Sequence, residues 1–129
     1  MTSAYSETLL EHFQSPRNTG VLESPDAEAT GENPVCGDRL RVQLRVRDGI
    51  ISEVKWQAEG CAPCLAAASV ASEMVRGMPV RCALDLDADE IARALGGLPP
   101  RKEHAATLFV RTLRQALKEL TSATQPRSV

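Results

Sequence analysis

Aromatic side chains are nearly missing from this sequence. There are two Phe, one Tyr and one Trp in 129 residues, so any core must be aliphatic and rich in alanine. No excess of positive charge is present either. Fifteen Lys and Arg against seventeen Asp and Glu leave a net charge of -2, which offers no basic footprint for a nucleic acid. No apolar run is long enough to cross a bilayer, and no membrane association is expected. The first residues, Met1 to Tyr5, lack the apolar stretch of a secretory signal, so the expected location is cytoplasmic. There is no internal repeat. At this length the chain is expected to be one domain over residues 1–129.

Four cysteines are present. In a cytosolic chain, metal binding or thiol chemistry is a better reading of them than a disulfide framework. Cys61 and Cys64 flank Ala62-Pro63 directly after Gly60. An alternating segment precedes them and a helical pattern, Leu65 to Arg76, follows. Pro63 suits a first helical turn. The two thiols therefore stand at or just before a helix N-terminus, where the macrodipole favours a thiolate. Two sulfurs so spaced can converge on one metal ion or close a local disulfide.

The remaining pattern predicts an α+β fold, with a small antiparallel sheet of about three strands packed by helices. Tyr5 to Gln14 reads as an amphipathic helix with Leu9, Leu10 and Phe13 on one side. A short strand is expected near Ala27 to Thr30. Arg39 to Arg47 alternates without a break, with Leu40, Val42, Leu44 and Val46 on one face. Asp48-Gly49 is a two-residue hairpin turn, and the return strand runs from Ile50 to Gln57 with Ile50, Val54 and Trp56 inward. Gly77 and Pro79 close the next helix. Asp87 with Glu90 has the form of a capping box. The last helix is expected from about Glu103 to Leu120, with Ala105, Leu108, Phe109, Thr112, Leu113, Ala116, Leu117 and Leu120 buried. Thr121 to Val129 is expected to fray.

Three clusters carry chemistry: Cys36 with Asp38 in the turn Asn33 to Asp38, the pair Cys61 and Cys64, and Lys102-Glu103-His104. An antiparallel hairpin returns the end of its second strand to the start of its first. Cys36 and Asp38 precede the first strand and Cys61 follows the second, so topology carries them to one end of the sheet. Thiolates with a His or Asp form a soft donor set suited to zinc or an iron–sulfur cluster. Cys82 has no partner in the pattern and reads as structural.

These blocks resemble the U-type iron–sulfur cluster assembly scaffolds, the IscU, SufU and NifU N-terminal family. The resemblance runs from Tyr5 to Leu120. It is carried by Tyr5-Ser6-Glu7, Pro16-Arg17-Asn18, Pro34-Val35-Cys36-Gly37-Asp38, Gly60-Cys61 with Ala66 to Ser69, and Leu98-Pro99-Pro100-Arg101-Lys102-Glu103-His104. It implies a scaffold, rather than an enzyme, on which a cluster (a 2Fe–2S cluster) is built and then passed to acceptor apo-proteins, with zinc able to bind at the same site. It implies a cysteine desulfurase as sulfur source, and a Hsp70-type chaperone reading the Leu98-Pro99-Pro100 segment. By position, Cys36 and Cys61 match family cluster ligands, Asp38 matches the aspartate that keeps the cluster labile, and Lys102 and His104 match the motif beside the third cysteine. That third cysteine is Ala105 here. Cys64, one helical turn from Cys61, is the expected replacement, giving the ligand set Cys36, Asp38, Cys61, Cys64 and His104. Two other uses compete: a zinc-binding degenerate scaffold or interaction module, and a C-x-P-C thiol–disulfide oxidoreductase. The last leaves Cys36, Asp38 and His104 without a role.

Overall fold

The computed structural model describes residues 5–34 and 36–124, with side chains up to Leu120. Strands β1 (Ala27–Asn33), β2 (Asp38–Arg47) and β3 (Ile50–Glu59) form one antiparallel sheet in the order β1-β2-β3. Around it lie α1 (Glu7–Gln14), α2 (Ala62–Val75), α3 (Val80–Leu84), α4 (Ala88–Ala94) and α5 (His104–Thr124). Helix α5 packs on β1 and β2, while α2 packs on β3 and α5. This is the α+β arrangement that the separation of strands from helices predicts.

The hairpin turn is as expected. Asp48 and Gly49 have φ of 53° and 76°, the pair of positive values that a type I′ turn requires. Leu40, Val42 and Leu44 are buried on the helix-covered face. The return strand differs in one respect. A register shift between Arg45 and Val46 pairs Val46 with Ile51, so Ile51 enters the core and Ile50 stays exposed. An extra residue in one strand reverses which side chains face inward beyond it. Gln43, on the opposite face, is also buried; its Oε1 accepts from the Leu22 backbone N–H at 2.9 Å, where the loop before β1 crosses the sheet.

The α5 stripe is buried from Ala105 to Leu117 as the 3.6-residue period requires, Leu120 is only partly buried, and Ala106 and Val110 join the stripe. The helix runs on to Thr124, and 125–129 of the tail expected to fray lie outside the described residues. Asp87 and Glu90 form the capping box with both reciprocal bonds. Several elements differ from expectation at their edges: β1 runs on to Asn33, β3 runs on to Glu59 and α2 starts at Ala62; α3 is an additional short helix after Pro79. The α2 chain of small residues, Ala66, Ala67, Ala68 and Ala71, is fully buried and permits close packing. Gly31 serves the same purpose on β1, since a Cβ there would collide with the Thr112 side chain and stand 3.2 Å from a Leu108 methyl.

Helix α1 is oriented by polar groups rather than by its apolar run. Leu9 is buried, but Phe13 is 40% exposed and His12 only 5%. The reason lies on α2. The Arg17 backbone N–H donates to Ser69 Oγ at 2.9 Å, which leaves the Ser69 hydroxyl proton to point at His12 Nδ1, 2.7 Å away. The Arg17 guanidinium stands 3.2 Å from the same nitrogen, so Nδ1 is the acceptor and the proton sits on Nε2, facing Glu73 at 3.7 Å. Trp56 Nε1 donates to the Arg17 carbonyl at 2.7 Å, locking the lone tryptophan to this corner.

Burial, followed by the Arg17 charge, holds the His12 pKa below its ordinary value. The unfolded chain then binds this proton more readily than the folded one. The stabilisation is complete above about pH 6.5 and is lost as pH falls from there toward the lowered folded value. Urea titrations from pH 7.5 to 5 are expected to show falling stability, with a shallower slope in His12→Gln. A wild-type slope in His12→Gln would contradict this. Separately, Gly31→Ala is expected to cost about 1–3 kcal/mol. In a Thr112→Ala background the same change should cost clearly less, and denaturant midpoints over the four-variant cycle measure that coupling.

Candidate metal and thiol site

The sheet register builds the site. Asn33 pairs with Asp38 at the close of the β1–β2 hairpin, and Arg39 pairs with Glu59. The next residue along each strand sets Asp38 beside Gly60, with Cys61 just beyond. Cys36 stands exposed in the β1–β2 turn, where Gly37 takes φ 74° and its N–H donates to the Asn33 carbonyl at 2.8 Å. His104 is the first residue of α5, which lies across the same end of the sheet. Thus Cys36 with Asp38, Cys61 and His104 come from three separate places in the chain to one edge.

Asp38 is the centre of the group. It is 1% exposed and shares the inward parity of Leu40 and Val42. Its Oδ1 accepts from the Cys61 backbone N–H at 3.1 Å, and its Oδ2 is 3.7 Å from Cys61 Sγ and 3.2 Å from His104 Nε2. His104 Nε2 is itself buried and makes no well-formed hydrogen bond, despite that short approach. Potential ligand atoms of Cys36, Asp38 and His104 lie within 4.8 Å of one another. A buried nitrogen with a free coordination direction, a carboxylate and a thiol within this span match the donors that hold zinc or iron.

Cys61 is half-buried at the N-cap of α2, and Cys64 occupies the third helical position, only 2% exposed within the aliphatic core. Burial pushes the Cys61 thiol up; the Cys64 backbone amide and Lys102 oppose the rise, while the Asp38 charge adds to it. Burial, with help from Asp38 and Cys61, pushes Cys64 up to about 12. The helix N-terminus does not overcome the loss of solvent at this depth, contrary to the thiolate expected for both positions. Cys64 is not among the three residues whose ligand atoms converge. Cys82 is exposed in α3. Ala105 is 1% exposed in the core.

The sequence named these residues without showing that Asp38 would be buried. Its parity with Leu40, Val42 and Leu44 was the available signal. Gly60 is required by that burial. A Cβ at position 60 would press on the Asp38 carboxylate and stand 2.9 Å from its Cγ. Gly60→Ala is expected to displace Asp38, lower stability by about 1–3 kcal/mol and weaken metal binding. Denaturation midpoint and zinc affinity read this; unchanged values for both would show that the carboxylate has room to move.

Comparison with known proteins agrees with this geometry. Residues 4–126 match the family model described as NifU-like N terminal domain. The chain is 42% identical over 113 residues to iron-sulfur cluster assembly scaffold protein IscU 1 of Archaeoglobus fulgidus, covering 88% of this chain and 74% of that protein. It is 41% identical over 123 residues to IscU of Aquifex aeolicus, covering 92% and 77%. It is 34% identical over 120 residues to IscU of Azotobacter vinelandii, covering 90% and 93%. In fold, it is similar to the SUF-system scaffold protein from Fervidobacterium islandicum AW-1, with a TM-score of 0.74 and 21% identity over 88% of this chain and 96% of that one. It is also similar to the N-terminal NifU-like protein of Brucella abortus, with a TM-score of 0.72 and 23% identity over 91% and 94%. With a family model matching residues 4–126 and identity at this level along most of its length, the chain belongs to the NifU-like N-terminal domain family.

Proposed function

We propose that this protein is an iron–sulfur cluster assembly scaffold, acting as a single domain in the cytoplasm. The observation that carries the reading is the convergence of Cys36, Asp38 and His104 within 4.8 Å, with Cys61 Sγ 3.7 Å from Asp38. The cluster is cargo here: it is built on the site and then released. Cys36, exposed on its turn, and Cys61, at the helix mouth, supply the thiolates. His104 supplies the nitrogen and Asp38 an oxygen, which binds these soft metals more weakly than sulfur and so favours release. Ligand thiols and imidazole must lose their protons to bind, so metal uptake is expected to rise with pH.

Cys64, anticipated as the replacement for the thiol absent at Ala105, is left outside this ligand set. Its depth in the core and its high pKa make a metal-bound thiolate costly without movement of α2. Sulfur from a pyridoxal-phosphate cysteine desulfurase and transfer to acceptor apo-proteins complete the proposal. The Leu98-Pro99-Pro100 segment is the candidate chaperone contact: Pro100 and Arg101 are exposed and Leu98 packs partly on the core. Among the described residues no helix is long and apolar enough to cross a membrane.

Anaerobic reconstitution with iron and sulfide is the test. A cluster chromophore is expected in the wild type, and its loss in Cys36→Ser and Cys61→Ser. His104→Ala should weaken metal binding at least about tenfold. Asp38→Ala should form a cluster that transfers more slowly to an acceptor apo-protein. Zinc binding without any cluster would instead favour the zinc-binding module, the reading that Ala105 supports.

A further inference from the structure

The pair Cys61 and Cys64 has a feature that metal ligation does not use. Both thiols are free, and one lies at the surface end of α2 while the other lies beneath it. Cys61 is the N-cap, with φ −74° and ψ 164°, and Cys64 is the third helical residue. This spacing separates the two cysteines by a single helical turn, the C-x-x-C separation at which a local disulfide can close. Pro63 lies between them without breaking the helix, because first-turn N–H groups have no intrahelical partner. Asp38, a carboxylate 1% exposed, lies 3.7 Å from Cys61 Sγ. A half-accessible outer thiol, a covered inner thiol and a buried carboxylate at a strand-to-helix junction are the parts of a dithiol that can carry two electrons.

Resting on the scaffold reading for its sulfur source, we propose that Cys61 and Cys64 reduce delivered sulfur to sulfide, with Cys61 as the persulfide carrier and Cys64 as the resolving thiol. The sulfur that a persulfide donor hands over is at the oxidation level of elemental sulfur, whereas a cluster is built from sulfide. Two electrons must be supplied for each sulfur. Here Cys64 Sγ attacks Cys61 Sγ of the Cys61 persulfide. The new bond is Cys61–Cys64, and the bond that breaks joins Cys61 Sγ to the outer sulfur. The Cys64 proton goes to the departing sulfur, which leaves as hydrogen sulfide. The outer sulfur gains two electrons, and each cysteine sulfur loses one. A cellular dithiol reductant then returns the pair to thiols by exchange. Sulfide is thereby released beside Cys36 and His104, at the edge where metal is held. The covered position of Cys64 has a purpose in this scheme: it is shielded from other oxidants and reaches only a sulfur carried on its neighbour.

The test uses metal-free, reduced full-length protein in chelator, treated with glutathione persulfide and then desalted. The wild type is expected to release sulfide without added reductant, and peptide mass mapping should find a Cys61–Cys64 disulfide. Cys64→Ser and the smaller Cys64→Ala, each checked for folding by circular dichroism, should hold the persulfide on Cys61 and release none. Exposed Cys82→Ser should behave as wild type. Sulfide release retained in both Cys64 variants, or a disulfide that instead joins Cys36 to Cys61, would overturn the proposal. Zinc affinity and cluster formation are measured separately. A wild type that builds a cluster but releases no sulfide from the persulfide sinks this proposal and leaves the scaffold standing. Release through Cys64 in a protein that builds no cluster supports the dithiol step and removes the scaffold reading.

Discussion

The burial of one carboxylate organises the functional end of this molecule. Asp38 sits at the start of β2 on the inward-facing side, where the aliphatic parity of the strand would normally place an apolar residue. A buried carboxylate needs partners, and it finds the Cys61 backbone N–H and His104. Those contacts tie together the first residue of β2, the residues after β3 and the beginning of α5. Gly60 has no side chain because the Asp38 carboxylate occupies that volume. The site is thus a packing solution as much as a chemical one.

A second polar anchor lies at a distance from it. His12, Ser69, Arg17 and Ser72 join α1 and the following turn to the buried face of α2. Trp56 joins the same corner to β3. Because Cys61 is the N-cap of α2, the Asp38 cluster holds the junction between β3 and α2, while this anchor holds Trp56 on one side of that junction and Ser69 and Ser72 on the other. The aliphatic core between them contains little aromatic surface, so close approach of small residues takes the place of large side chains. Gly31 against Thr112 and the alanines of α2 are the contacts that make this possible.

The two thiols of α2 illustrate how position divides chemistry between like residues. Three residues apart in sequence, they differ in exposure because one precedes the first turn and the other faces the core from within it. Burial raises the Cys64 pKa to about 12, so it rests as a protonated thiol, while Cys61 remains at the mouth with Asp38 and Lys102 acting on it in opposite directions. The helix N-terminus is one contribution among several. At this site desolvation is the larger, because the field of the helix end acts over a short range whereas loss of water affects the whole thiolate.

Much of the fold was legible in the chain itself. Strict alternation over Arg39 to Arg47 and the Asp48-Gly49 dipeptide determine the central hairpin, since period and turn chemistry are local properties. The α5 stripe and the Asp87–Glu90 box are local in the same sense. The arrival of Cys36, Asp38 and Cys61 at one edge also follows from the sequence, because a hairpin leaves no other place for its ends. Other features were decided only in three dimensions. The inward turn of Ile51 in place of Ile50 depends on a bulge in the pairing of β2 with β3. The burial of His12 in place of Phe13 depends on hydroxyl groups of α2, far along the chain. The depth of Cys64 depends on what α2 packs against. Each of these is settled by a partner distant in sequence, so no local period could reveal it.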